Sequence, residues 1–153
     1  MKQENILIDA KGKAVLCDFG FSRIRHETTR THTLIREGGR FRYLAPELSS
    51  GPFKFRTSQA SDIYSLAMTF LTLLTLALPF AEINREFEAA RAAEQGIRPQ
   101  RPKKMNLMPA EESPMWDLLG HMWRHDPEKR VDAFSVDDQL KAVFFHRSLW
   151  STS

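Results

Sequence analysis

The sequence predicts a mainly helical domain with a short β-hairpin at its N-terminal end. Three observations point there. Two brief β-prone runs, Ile6-Leu7-Ile8 and Ala14-Val15-Leu16-Cys17, flank a turn. An uncharged run from Ile63 to Ala81 carries Asp62, Ser65, Thr69, Thr72 and Thr75 on one stripe at helical spacing. Further on, Met115, Leu118, Leu119, Met122 and Trp123 recur at the i, i+3, i+4, i+7, i+8 spacing of a helix face turned to a core.

Each element has its own justification. Asp9-Ala10-Lys11-Gly12 supplies the hairpin turn, with Gly12 free to take a positive φ. The stretch from Phe21 to Gly39 is rich in Thr and Arg and has poor periodicity, so it reads as a loop. The run after Asp62 is nearly long enough for a bilayer, which takes roughly 20 apolar residues. Its polar seam and the proline at position 79 favour the buried axis of a globular domain instead. Pro79-Phe80 is expected to close that helix. Asn84 is expected to cap a helix running towards Glu94, with Gly96 as its C-terminal stop. Ser113-Pro114 reads as a cap followed by proline at the first helical position. Ser135 is expected to cap a last helix carrying Leu140, Val143 and Phe144, and the tail after Trp150 to fray.

Composition sets the class. A chain of 153 residues suits one domain, and 42% apolar with 27% charged residues is globular. The net charge of +3 is too mild to demand nucleic acid or a membrane surface. A single cysteine, Cys17, forbids an internal disulfide and fits a reducing compartment. The first residues contain no apolar signal core. The expected location is the cytoplasm. The basic run Arg98-Pro99-Gln100-Arg101-Pro102-Lys103-Lys104 reads as a solvated linker before it reads as a nuclear-import patch. His121 and His125 stand four apart, as helical metal ligands can, but no third ligand is near them in sequence, so they read as structural.

The motifs lie between residues 2 and 47. Lys2-x-x-Asn5 precedes the hairpin, Asp18-Phe19-Gly20 follows it, and Ala45-Pro46-Glu47 comes after the Thr/Arg-rich loop. A hairpin with Asn5 before one strand and Asp18 after the other brings two oxygen donors to the same end of one ladder. Mg²⁺ bridging nucleotide phosphates needs such hard, rigidly held oxygens. Each triplet is weak alone, but in this order the set resembles the activation segment of a protein kinase.

That resemblance implies a partial protein-kinase-like fold: the helical C-lobe with its short N-terminal β-hairpin, the N-lobe being absent from the sequence. It implies a domain over residues 1–147, with the end of the catalytic loop and the hairpin over 1–17. The activation segment would cover 18–47, the helical subdomain 48–147, and a tail 148–153. Lys2 matches the catalytic-loop lysine that supports the transferred phosphate, and its spacing from Asn5 favours Ser/Thr over Tyr chemistry. Asn5 and Asp18 match the two metal ligands. Cys17 would line the nucleotide pocket, or serve as a small apolar strand residue. Phe19 would pack in the core, and Gly20 would let the backbone turn. One of Thr28, Thr29, Thr31 and Thr33 would accept a phosphate that neighbouring arginines bind. Glu47 would pair with Arg130, in His125-Asp126-Pro127-Glu128-Lys129-Arg130. Asp62 would hold the catalytic-loop backbone, or simply favour a helix N-terminus.

The chain departs from the pattern in two ways. Arg40 stands where Ser/Thr kinases usually carry a threonine whose hydroxyl ties the docking loop to the catalytic aspartate. Met1 stands where the leucine of His-Arg-Asp-Leu-Lys would be, and no glycine-rich loop or strand lysine occurs downstream. The resemblance therefore implies a kinase using ATP and Mg²⁺ in a complete domain, with a protein substrate or docking partner. The chain alone is expected to be inactive, and the face left by an uncovered central helix is expected to associate. The alternative is a non-catalytic kinase-like binding or scaffold module, docking through the helix from Asn84 and the segment near Arg40.

Overall fold

The computed structural model describes residues 2–18, 41–49, 57–102 and 114–148, with the side chains of the last helix as far as Val143. Phe19, Gly20, Thr28, Thr29, Thr31, Thr33, Arg40, Ser113 and the side chain of Phe144 lie outside the described residues.

The chain opens with a 3₁₀ turn over Gln3–Asn5, followed by β1 (Ile6–Ile8) and β2 (Ala14–Leu16). The two strands pair antiparallel in the register Ile6↔Leu16, Leu7↔Val15, Ile8↔Ala14. Asp9 builds the turn between them. One of its carboxylate oxygens accepts the Lys11 and Lys13 amides at 2.8 and 2.9 Å, while Gly12 takes φ 77°. The apolar side chains of this hairpin stay open to solvent, Leu7 at 56% and Ile8 at 67%.

A second 3₁₀ turn over Phe41–Tyr43 leads into α1 (Pro46–Ser49). The axis of the domain is α2 (Gln59–Thr75). Ser58 caps it: its hydroxyl accepts the Ser61 amide at 3.1 Å, and the Ser61 hydroxyl accepts the Ser58 amide at 2.9 Å. The uncharged seam is buried without cost to hydrogen bonding. Ser65, Thr69 and Thr72 donate to the carbonyls of Ser61, Ser65 and Met68, one turn back. Among the described residues no helix is long and apolar enough to cross a membrane.

Helix α2 ends earlier than its proline suggests. It stops at Thr75, where Leu76 turns left-handed at φ 55° and donates to the Thr72 carbonyl at 2.8 Å. Pro79 lies beyond the break. The end of α2 leaves Leu73, Leu76 and Leu78 exposed at 46%, 79% and 48%.

Helix α3 (Glu86–Glu94) buries four alanines, Ala89, Ala90, Ala92 and Ala93, so it packs close against α1 and the 41–43 turn. Asn84 does not cap it. Arg85 occupies the cap position and makes no side-chain cap bond, because the helix starts one residue later than the Asn84 signal suggests. Its end matches expectation: Gly96 takes φ 82°, and the Gly96 and Ile97 amides return to the Ala93 and Ala92 carbonyls at 3.1 and 3.0 Å.

Helix α4 (Pro114–Met122) turns Met115, Leu118, Leu119 and Met122 into the core against α2. Helix α5 (Ala133–Ser148) packs on α4. Asp132 rather than Ser135 caps α5. The Asp132 carboxylate accepts the Ser135 amide at 2.7 Å, and these bonds hold its pKa below the ordinary value. The core gathers Tyr43, Ala45 and Leu48 around α2, with Phe80 1% exposed beneath the loop between α2 and α3.

Candidate functional site

The hairpin brings the backbone of Asn5 and the residue before Asp18 to one end of its ladder. Beyond the Ile6↔Leu16 pair, the Cys17 amide donates to the Asn5 carbonyl at 2.9 Å, which carries the ladder one step further. Asp18 is the next residue. It is exposed and left-handed at φ 58°, a conformation that short polar side chains tolerate best among non-glycine residues. Asn5 is half-buried at the end of the first 3₁₀ turn, and its amide donates to the Lys2 carbonyl at 3.0 Å. Lys2, Asn5, Cys17 and Asp18 therefore surround one end of the hairpin. Cys17 is half-buried, with its thiol 3.9 Å from the Glu4 carbonyl.

Asn5 and Asp18 carry an amide oxygen and a carboxylate, the hard donors that magnesium takes. Among the described residues no three of His, Cys, Asp or Glu gather into a closed metal cage. An amide oxygen and a carboxylate at an open edge suit an ion that completes its octahedron with water and phosphate.

Glu47, at the start of α1, meets Arg130. Both guanidinium Nη atoms donate to the carboxylate at 2.7 Å. The Arg130 side chain is fully buried, and its remaining donors reach the carbonyls of Arg124, Ala60 and His125. Its guanidinium lies 5.1 Å from the centre of the Tyr64 ring, and Arg98 lies 5.7 Å from the same centre. Burial pushes the Tyr64 hydroxyl up to about 12 and lowers the pKa of Arg98. Asp62 stands exposed on the first turn of α2, yet the protein around it raises its carboxyl pKa by desolvation. Among the described residues its carboxylate accepts no hydrogen bond.

Three features escape a motif reading. Arg42 is buried and donates to four carbonyls of the loop after α2: Pro79 at 2.9 Å, Phe80 at 2.7 Å, Asn84 at 3.1 Å, and Ile83. Tyr43 joins the Gln3 side chain at 2.6 Å and the Thr72 hydroxyl at 3.2 Å, while its own carbonyl accepts from Ser65 at 2.9 Å. A depression of about 550 Å³ beside Arg98, Trp116, His121 and Trp123 takes no residue from the hairpin. It is remote in sequence from the donors and adds nothing to their site.

Comparison with known proteins identifies the family. The family model described as "Protein kinase domain" matches residues 1–145. The chain is 28% identical over 144 residues to the serine/threonine-protein kinase STY46 of Arabidopsis thaliana, covering 94% of this chain and 23% of that protein. It is 31% identical over 132 residues to the human ankyrin repeat and protein kinase domain-containing protein 1, covering 85% and 17%. It is 26% identical over 144 residues to the serine/threonine-protein kinase mos of Gallus gallus, covering 94% and 40%. The chain thus spans less than half the length of each of these relatives. The helical body, with a small two-stranded sheet among the described residues, is a partial kinase fold built around the helical lobe. With the matched region covering nearly all of it, the chain belongs to the protein kinase family.

Proposed function

We propose that this chain is the helical-lobe portion of an ATP-dependent kinase that phosphorylates Ser or Thr hydroxyls of proteins in its full-length form. The observation that carries the reading is the end of the hairpin, where the Cys17–Asn5 bond of 2.9 Å sets Asn5 beside the strand that leads to Asp18. In this reading Asn5 and Asp18 hold Mg²⁺, Lys2 supports the transferred phosphate, and Cys17 borders the nucleotide. Bound Mg²⁺–ATP supplies the transferable phosphoryl group and neutralises its charge. The Arg130–Glu47 pair anchors the docking end, Asp62 holds the catalytic-loop backbone, Phe19 packs in the core, and Gly20 lets the backbone turn. One of Thr28, Thr29, Thr31 and Thr33 receives the activating phosphate. The partial domain runs over residues 1–147, in the reducing environment of the cytoplasm that a lone cysteine suits.

The 153 residues contain no glycine-rich loop, strand lysine or His-Arg-Asp aspartate, so the isolated polypeptide is expected to transfer no phosphate. The deciding experiment measures phosphate transfer from ATP to a protein substrate by the full-length protein and by this chain. Asp18→Ala should cut the full-length rate by about 10²–10³-fold. Full activity in Asp18→Ala would overturn the catalytic reading. Transfer by the isolated chain that Asp18→Ala removes would overturn its inactivity.

A second reading, a non-catalytic docking module, draws on one observation. Phe87 on α3 is 69% exposed and stands edge-on to Phe41, with ring centres 6.4 Å apart. An exposed aromatic beside the docking end suits a protein partner. Loss of partner binding in Phe87→Ala, with no phosphate transfer by the full-length protein, would favour it.

A further inference from the structure

We infer that Gln3 is a positioning residue that couples the docking segment to the phosphate-holding turn through Tyr43. The inference rests on the kinase reading above for its consequence and on geometry for its existence. Gln3 lies between Lys2 and Asn5, inside the 3₁₀ turn that sets both. Its amide nitrogen donates to the Glu4 carboxylate at 3.2 Å, which turns the amide oxygen towards Tyr43. The Tyr43 hydroxyl has one proton and donates it to that oxygen at 2.6 Å. The Thr72 hydroxyl, 3.2 Å from the phenol, holds the other side of the Tyr43 oxygen. Burial raises the Tyr43 pKa above its ordinary value, so the phenol remains a donor at neutral pH.

Both ends of this chain of bonds are anchored. Thr72 sits on α2, the axis of the fold, and shares its one hydroxyl proton between the Tyr43 oxygen and the Met68 carbonyl at 3.2 and 3.0 Å. Tyr43 is 3% exposed and lies two residues before Ala45-Pro46-Glu47, the stretch that Arg130 grips. A shift of the docking segment therefore pulls on Gln3, and Gln3 cannot move without its neighbours Lys2 and Asn5. The resemblance expects a threonine hydroxyl at position 40 to make such a tie, and this chain has Arg40 there. Gln3 and Tyr43 supply a tie of different chemistry, three residues further on.

The test uses three variants of this chain and one comparison in the full-length protein. Gln3→Leu keeps the side chain's bulk and removes the acceptor, Tyr43→Phe removes the donor, and Gln3→Glu keeps an acceptor oxygen. The primary readout is hydrogen exchange of the Asn5 amide, with the Leu71 amide on α2 as the internal control. Gln3→Leu and Tyr43→Phe should each speed Asn5 exchange by more than threefold without changing Leu71, and Gln3→Glu should return it to the wild-type rate. Smaller changes, or failure of Gln3→Glu to restore the rate, overturn the coupling. If Tyr43→Phe also speeds Leu71, it has loosened the whole fold, and the two Gln3 variants decide. In the full-length protein, Gln3→Leu should lower transfer to a protein at least fivefold more than it lowers ATP hydrolysis, with Gln3→Glu restoring the ratio. An equal fall in both rates overturns the catalytic consequence. Wild-type protein that transfers no phosphate removes the kinase reading, while the exchange result still decides the link.

Discussion

Arg130 and Glu47 meet through two hydrogen bonds of 2.7 Å, although 83 positions separate them in sequence. The geometry is the planar fork of a guanidinium against a carboxylate, with the Arg130 side chain wholly shielded and Glu47 26% exposed. Removing the carboxylate leaves a cation buried without its counter-charge. Glu47→Ala should lower stability by about 3–5 kcal/mol, and Arg130→Lys should also be costly because an ammonium cannot form the fork. Urea unfolding checks this, and a loss under about 1 kcal/mol in Glu47→Ala would show the pair to be dispensable.

Tyr64 gives a prediction of opposite sign. Two guanidiniums lie 5.1 and 5.7 Å from its ring centre, and among the described residues its buried hydroxyl has no hydrogen-bond partner. Tyr64→Phe removes that unsatisfied group and should leave stability equal or raise it by about 1 kcal/mol. The pH dependence follows from desolvation, which lifts this phenol from 10.0 to about 12. Between those values the unfolded chain has lost a proton that the folded chain keeps. The contribution of this phenol is therefore constant below pH 10 and falls as pH rises towards 12, by about 2–3 kcal/mol. Tyr64→Phe should flatten most of that fall in alkaline unfolding curves. A curve as steep as wild type would place the titration elsewhere.

Arg42 clamps the loop between α2 and α3 from beneath. Its four carbonyl acceptors include Phe80, whose φ of 55° is an unfavourable conformation for a bulky residue. Such strain persists where surrounding contacts over-determine it. Arg42→Met should lower stability by about 2–4 kcal/mol, since several loop carbonyls lose a donor. Amide exchange in residues 80–84 should rise first. Unchanged protection there would show that the loop holds its shape unaided.

These elements divide by what a sequence can carry. The hairpin was legible because Asp9 and Gly12 encode the turn locally, and Glu47 and Arg130 because a motif marks both partners. The buried seam of α2 was legible because its hydroxyls are spaced to bond their own helix. Arg42 and Gln3 were not, since their partners are a distant loop's carbonyls and a phenol 40 positions away. Nothing near either residue announces those partners. Caps failed for a different reason. Asp132 and Ser135 can both cap, and only the helix's first turn decides which oxygen meets an amide, while Asn84 stands one position too early for a helix that starts at Glu86.

Two surfaces should drive self-association. Leu7, Ile8, Val15 and Leu16 are exposed along the hairpin, and Leu73, Leu76 and Leu78 at the end of α2. Ile8→Lys and Leu78→Lys add charge without disturbing a buried contact, since both side chains are about half exposed or more. Light scattering of the chain should show larger species in the wild type than in the double variant. Equal size distributions at matched concentration would rule these faces out as the cause.

Leu76 and Phe80 share φ 55°, and burial should give glycine opposite effects at the two positions. Leu76 is 79% exposed at the end of α2, so its side chain contributes little packing. A left-handed backbone costs a side-chain-bearing residue about 1–2 kcal/mol, partly offset by the greater freedom of glycine when unfolded. Leu76→Gly should therefore stabilise the fold by about 1 kcal/mol. Phe80 has the same backbone angle but is 1% exposed, and losing a buried phenyl ring costs about 3–5 kcal/mol. Relief of strain recovers only part of that loss, so Phe80→Gly should destabilise by about 2–4 kcal/mol. Thermal or urea midpoints separate the cases. Destabilisation by Leu76→Gly would mean that the exposed leucine makes a contact its surface area does not reveal, and the strain argument at the end of α2 would fail with it.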